Sequence, residues 1–245
     1  MARSFGSLFG RSKNTSGNLG IVTRATPFPI REAFRTLYTD VLYLNIEDKC
    51  KKIAITSAVP SEGKTTVATN LAITIAQNAE DKRVLLIDTD MRKPRVSRLL
   101  GINKMTHGLS EFLAGIDDAP NFINIPQYRI TVLSSGGTNK NPTQLVSSKR
   151  MEELIKFCEQ YFDYIIIDTP PISVVSDAIL LHDKINGYIL TVRSDYSNIN
   201  DLSECVDRLK RNDTEIFGIV LTSYSLKGKN KKYGGAYSKY AYESV

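Results

Sequence analysis

The stretch "SAVPSEGKTT", residues 57–66, constrains this chain more than any other. It follows the apolar run "KKIAIT" and leads into a helical stretch from Lys64, so it joins a buried strand to a helix N-terminus. A loop in that setting offers converging backbone N–H groups and the positive end of a helix dipole, which together bind phosphate. Gly63 lets the backbone approach, Lys64 neutralises β- and γ-phosphate oxygens, and Thr65 offers its hydroxyl to Mg2+. Ser61, Glu62, Gly63, Lys64, Thr65 and Thr66 are therefore the expected ATP-binding run, with ATP and Mg2+ as the implied ligands. No GxGxxG follows the strand, which argues against a dinucleotide site.

The rest of the chain repeats the strand–helix rhythm. The runs "RVLLIDTD", "RITVLSS", "YIIIDTPP", "GYILTVRS" and "IFGIVLTSYS" read as strands, with helices expected at Ile30–Ile46, from Lys64, near Met151–Glu159 and near Asn200–Arg211. Apolar strands without alternation, separated by helices, predict an α/β fold: a parallel sheet flanked by helices on both faces. In such a sheet the C-terminal strand ends share one edge. Asp88, Asp90 and Asp168 end two of these strands, so their carboxylates are expected to face the phosphate loop, as magnesium ligands or to polarise a nucleophile. His107 and His182 carry no nucleophile or metal pattern and read as structural or surface residues.

The net charge of +6 suggests nucleic acid until it is divided along the chain. Residues 1–31 hold five basic residues and no acid, and residues 225–245 hold five lysines and Glu243, so the body carries 6 − 5 − 4 = −3. Basicity at the ends alone is not a nucleic-acid face. Two solvated tails explain it, with weak contact to anionic lipid or an organellar transit signal as the alternatives. No window approaches the roughly 18 apolar residues that a membrane span needs. Three widely spaced cysteines fit neither a disulfide framework nor a zinc site and read as reduced thiols of a cytoplasmic protein. The expected organisation is a flexible segment 1–22, one domain 23–224, and a flexible tyrosine-rich tail 225–245 ending "KKYGGAYSKYAYESV".

The phosphate loop, "LLIDTDMRKP", "YIIIDTPP" and the tyrosine-rich tail, in this order, closely resemble the bacterial tyrosine kinases of capsular and exopolysaccharide systems. The resemblance runs from Thr23 to Tyr242 and takes in "NPTQLVSSKRM". It implies a P-loop NTPase fold and an ATP-dependent autokinase that phosphorylates tail tyrosines, usually on a neighbouring subunit. On that reading Lys64 and Thr65 hold phosphate and Mg2+, Asp88 is the candidate base, and Asp90 and Asp168 support the metal. Tyr233, Tyr237, Tyr240 and Tyr242 become the phosphoacceptors, and Glu32 and Arg35 part of an oligomer interface. The resemblance also implies a membrane adaptor of the polysaccharide co-polymerase type that recruits the chain to the inner face of the membrane, other tyrosine substrates, and a counteracting phosphatase.

Three features depart from the family pattern or bear on rivals. Tyr38 and Asp40 stand where the oligomer motif carries arginine and asparagine, and Thr222 where an asparagine is expected near the base. A partitioning ATPase of the same fold would carry a signature lysine where this chain has Val59. A non-catalytic adaptor would not need Lys64, Asp88, Asp90 and Asp168 together. Modification adds about −1.5 to −2 per phosphate, turning a tail of net +4 negative, and repulsion by the three aspartates is then expected to expel it.

Overall fold

A computed structural model of the chain describes residues 3–5, 20–102, 107–137 and 141–224. Among these residues, eight strands form one sheet: β1 (Arg3–Phe5), β2 (Lys51–Ser57), β3 (Val84–Asp88), β4 (Phe122–Ile125), β5 (Ile130–Leu133), β6 (Tyr164–Asp168), β7 (Gly187–Arg193) and β8 (Ile216–Thr222). Their order across the sheet is β1-β8-β7-β2-β6-β3-β5-β4, and only the β4–β5 pairing is antiparallel.

The helices are α1 (Phe28–Leu42), α2 (Lys64–Asn78), α3 (Val96–Leu99), α4 (Leu109–Leu113), α5 (Pro142–Val146), α6 (Lys149–Cys158) and α7 (Ile199–Lys210). They cover both faces. Successive strand residues alternate between two separate cores, which is why the central strands show no polar alternation. Ile53, Ile55, Leu86 and Ile166 pack with Phe34 and Val41 of α1 and Val67, Leu71 and Ile75 of α2. Ala54, Leu85, Ile87, Ile165 and Ile167 pack with Leu109, Met151, Leu154 and Leu209 on the other side. Central α2 is buried nearly all round, from Val67 through Ala76, so it is held rigidly under the site.

Helix α1 spans Phe28–Leu42, starting and ending before the expected Ile30–Ile46. Prolines pre-set its first turn. At its end Lys51 Nζ donates to the carbonyls of Val41, Leu42 and Leu44 at 3.1, 2.8 and 3.3 Å. A cation on the last carbonyls favours termination there. Two strands were not expected: β4, and β1 within the segment read as flexible. Both add to sheet edges, where unpaired backbone groups accept even a short segment.

Candidate active site

The phosphate loop lies between β2 and α2, at the C-terminal edge of the sheet. Ser61 (φ 67°) and Gly63 (φ 96°) adopt left-handed backbone conformations that fold the loop over the helix start. A Cβ at Gly63 would stand 3.2 Å from Thr222 Cγ2, so glycine is required twice, by conformation and by space. No side chain caps α2, which leaves its first N–H groups available to an anion. Lys64 is only 8% exposed; burial lowers its pKa, while Asp168, Asp90 and Glu62 favour its charged form.

The loop is braced from within. The fully buried Glu62 carboxylate accepts from the Val59 N–H at 2.8 Å and from the Ser197 hydroxyl, and Ser197 Oγ accepts from the Arg193 N–H at 2.8 Å. Thr222 donates its hydroxyl to the Glu62 carbonyl at 2.7 Å, and Arg193 donates its guanidinium to the Ser61 carbonyl at 3.3 Å. Within the expected ATP-binding run, the Glu62 side chain thus turns inward to hold the loop, whereas Ser61 is exposed and Thr65 and Thr66 are half-buried. Thr222, expected near the base, lies beneath Gly63 as part of this brace.

The carboxylates come together as the topology requires. Strands β3 and β6 pair in parallel with Asp88 directly opposite Asp168, and Ile55 of β2 pairs with Asp168 on its other side. Asp88 Oδ1 accepts from the Asp90 N–H at 3.1 Å, and Oδ2 from the N–H groups of Arg95 and Val96 at 3.3 and 3.2 Å. Half-buried Asp90 accepts from the Lys93 N–H at 3.0 Å. The Thr65 hydroxyl lies beside Asp168 and favours its ionised form, yet neither buried Asp168 oxygen accepts a well-formed hydrogen bond.

Burial is the main reason that both inner carboxylates bind protons tightly. It pushes Asp168 up to about 7 against the pull of Thr65 and Lys64, and it raises Asp88 well above the carboxylate range, helped by the neighbouring Asp168 charge. Two buried, unpartnered oxygens next to a lysine and a threonine hydroxyl fit a divalent cation with its phosphate and water ligands. Among the described residues no three acidic, His or Cys side chains form a ligand cluster.

Carboxylates and cations around the loop after β3 differ in exposure. Asp88 and Asp168 are inside, whereas Arg92, Lys93, Arg95 and Arg98 are exposed. The tail whose repulsion by the aspartates was expected lies outside the described residues. Arg92 donates to Asp177 Oδ2 at 3.2 Å and to Thr143 Oγ1 at 3.0 Å, and Thr143 donates to Asp177 Oδ1 at 2.5 Å. These contacts tie the "NPTQLV" helix α5 to the loop after β3. Sequence reasoning missed Ser197, Arg193 and Asp177; for Arg193 and Ser197 the position at or just after the end of β7 was the available signal.

Glu32 and Arg35 pair with each other along α1 at 3.3 Å, with side chains 30% and 63% exposed. Tyr38, on the same helix, is half-buried and packs against the core, so an aromatic ring stands where the family motif carries a cation. His107 pairs with Asp117 at 2.8 Å, and His182 is exposed after a 3-10 turn. Tyr233, Tyr237, Tyr240 and Tyr242 lie outside the described residues.

Residues 50–217 match the AAA domain family. Tyrosine-protein kinase CpsD of Streptococcus pneumoniae serotype 4 is 37% identical over 206 residues, covering 80% of this chain and 87% of its own. The chain belongs to the bacterial tyrosine-protein kinases. YwqD of Bacillus subtilis, another tyrosine-protein kinase, is 34% identical and covers 83% of this chain and 84% of its own. The kinase domain of Escherichia coli tyrosine kinase ETK superposes with a TM-score of 0.81 at 27% identity, covering 94% of this chain and 93% of that domain. Membership in this kinase family makes a partitioning ATPase the weaker reading, and Val59, where such an ATPase carries its lysine, serves here through its backbone N–H in the Glu62 brace.

Proposed function

We propose that this chain is an ATP-dependent protein-tyrosine autokinase that transfers the γ-phosphate to Tyr233, Tyr237, Tyr240 and Tyr242 of a neighbouring copy and thereby regulates capsular or exopolysaccharide synthesis and export. The observation that carries the reading is the in-register Asp88–Asp168 pair beside buried Lys64, in a chain whose relatives are tyrosine kinases. Lys64, the open N–H groups of α2 and the backbone of Ser61 to Thr66 hold the phosphates. Thr65, Asp90 and Asp168 would hold Mg2+, which when bound would supply charge neutralisation for the transferring phosphoryl group.

Asp88 is the proposed acceptor of the phenol proton, but both its oxygens face backbone N–H groups of the Asp90–Val96 loop, and burial favours its protonated form, so it must first lose that proton. That role requires the loop to shift, and a neighbouring copy is the natural agent of the shift. Strand β8 ends with Thr222 opposite Arg193, so the tail departs from the phosphate-loop edge. The nine residues from Tyr224 to Tyr233 reach about 30 Å extended and roughly 15–18 Å as a flexible chain, so a neighbour's site is reachable only within an assembly. Positioning is most of what phosphoryl transfer asks of a protein, so assembly can act as the switch.

Among the described residues no helix is long and apolar enough to cross a membrane. The proposed setting is the cytoplasmic face of the membrane, with recruitment by an adaptor of the polysaccharide co-polymerase type, assembly through Glu32 and Arg35, further tyrosine substrates, and a phosphatase that resets the tail. Incubation with Mg-ATP and an activating adaptor fragment, followed by phosphotyrosine blotting, tests the reading. Signal from wild type is expected, and its absence would sink the assignment.

A further inference from the structure

The turn after β7, residues 194–198, fixes the Ser197 hydroxyl. The Ser197 N–H donates to the Arg193 carbonyl at 3.0 Å, and its Oγ accepts from the Arg193 N–H at 2.8 Å. A hydroxyl carries one proton, and with the Arg193 N–H on an oxygen lone pair that proton is left for Glu62 Oε1. Glu62 Oε2 accepts from the Val59 N–H at 2.8 Å, so one carboxylate joins the turn to the first residues of the phosphate loop. The turn is itself tied to the sheet and to α7. The Ser194 N–H donates to the Thr222 carbonyl at 2.9 Å, and the Asn198 side chain caps α7 by accepting from the Asn200 N–H at 2.9 Å.

The phosphate loop needs an outside hold of this kind. Ser61 is not a glycine, yet it stands at φ 67°, a conformation that an L residue keeps only where its surroundings enforce it. The Val59–Glu62 clasp closes the loop around it. Arg193, with its guanidinium 5.1 Å from the Tyr196 ring centroid, donates to the Ser61 carbonyl at 3.3 Å. Glu62 is fully buried, so without the Ser197 hydroxyl one of its oxygens loses its donor. A buried carboxylate short of a donor turns toward water, and that turn releases Val59. Ser61 is then free to leave its left-handed conformation, and the backbone N–H groups ahead of α2 lose the convergence that phosphate binding uses. We propose that Ser197 is a positioning residue for nucleotide binding: acting through Glu62, it holds the phosphate loop in its anion-binding conformation from the turn after β7. The inference rests on the nucleotide-binding part of the proposed function and not on which residue receives phosphate.

The test is binding of fluorescent ATP with Mg2+ to the full chain, together with urea unfolding and amide hydrogen exchange of the nucleotide-free protein. Ser197→Ala should raise the Kd about tenfold, on the scale of one hydrogen bond to a charged group, and should speed exchange at the Val59 N–H. Ser197→Thr keeps the hydroxyl and should stay within about twofold of wild type. In a Glu62→Ala background, Ser197→Ala should change the Kd by less than about twofold, because the group it acts through is already gone. A wild-type Kd in Ser197→Ala, or a tenfold loss that persists without Glu62, would overturn the inference. Lower stability in urea with an unchanged Kd would overturn it too, since that marks a merely structural contact. Phosphotyrosine is not measured here, so these outcomes stand apart from failure of the kinase reading, which shows as no phosphotyrosine after Mg-ATP and adaptor.

Discussion

Replacing Asp168 with asparagine should make the nucleotide-free protein more stable, and by an amount that depends on pH. The carboxylate is fully buried, neither oxygen accepts a well-formed hydrogen bond, and its pKa stands at about 7. An unfolded aspartate titrates near 3.9. Between those values the folded state holds a proton that the unfolded state has lost, so wild-type stability falls as pH rises from about 4 through 7. Integrating the difference gives a loss of about 1 kcal/mol by pH 4.5, about 2 by pH 5.5 and about 4 at pH 8. That figure is already net of the attraction to Lys64, which favours the ionised carboxylate. Asparagine keeps the shape and removes the charge. Urea unfolding of wild type and Asp168→Asn, without nucleotide or Mg2+, should show curves that coincide near pH 4 and separate by several kcal/mol at pH 8. A variant no more stable at pH 8, or one whose gain is the same at both ends, would refute the reasoning. Saturating Mg-ATP should narrow the gap, because only wild type offers the cation its carboxylate.

Asp88→Asn separates two roles: if Asp88 takes the phenol proton, phosphotyrosine formation should fall at least about tenfold with nucleotide affinity kept, whereas equal loss of both in a titration with fluorescent ATP would make it a clamp for the Asp90–Val96 loop. Gly63→Ala must adopt φ 96° and meet Thr222 Cγ2 at 3.2 Å; a cost of about 1–3 kcal/mol in urea unfolding and weaker nucleotide binding are expected, and an unchanged variant would contradict the described loop. Glu32→Ala/Arg35→Ala should lower the mass seen by light scattering while changing monomer stability by less than about 0.5 kcal/mol, since an exposed i,i+3 pair is worth only a few tenths. Unchanged mass with an oligomeric wild type would leave the pair as a surface contact on α1.

The central architecture was legible because strands covered on both faces need apolar residues at every position. "KIAIT", "VLLID" and "YIIID" meet that need, and each sends residues alternately into two cores. Parallel pairing then places Asp88 and Asp168 side by side without any further assumption. Strand β4 escaped notice because "FINI" is four residues long on an antiparallel edge, where neither length nor burial imposes a strong pattern. The role of the Glu62 side chain was illegible for a different reason. A carboxylate inside a phosphate loop reads as part of the ligand site, and its partner Ser197 lies 135 positions away. The difference in exposure between aspartates and cations was also hidden. Sequence counts Asp88, Asp90 and Asp168 as charges equal to Lys93 and Arg95, but folding buries two of the aspartates and raises their pKa while the cations stay in water.

Mapping phosphate by mass spectrometry after incubation with Mg-ATP and an activating adaptor fragment tests the account's central claim most directly, with Lys64→Met alongside. Methionine keeps an apolar stem of similar length but removes the phosphate-binding charge from the start of α2. The account predicts phosphate on Tyr233, Tyr237, Tyr240 and Tyr242 of wild type and none on the folded variant. Phosphate confined to other residues, or an equally modified Lys64→Met protein, would contradict it.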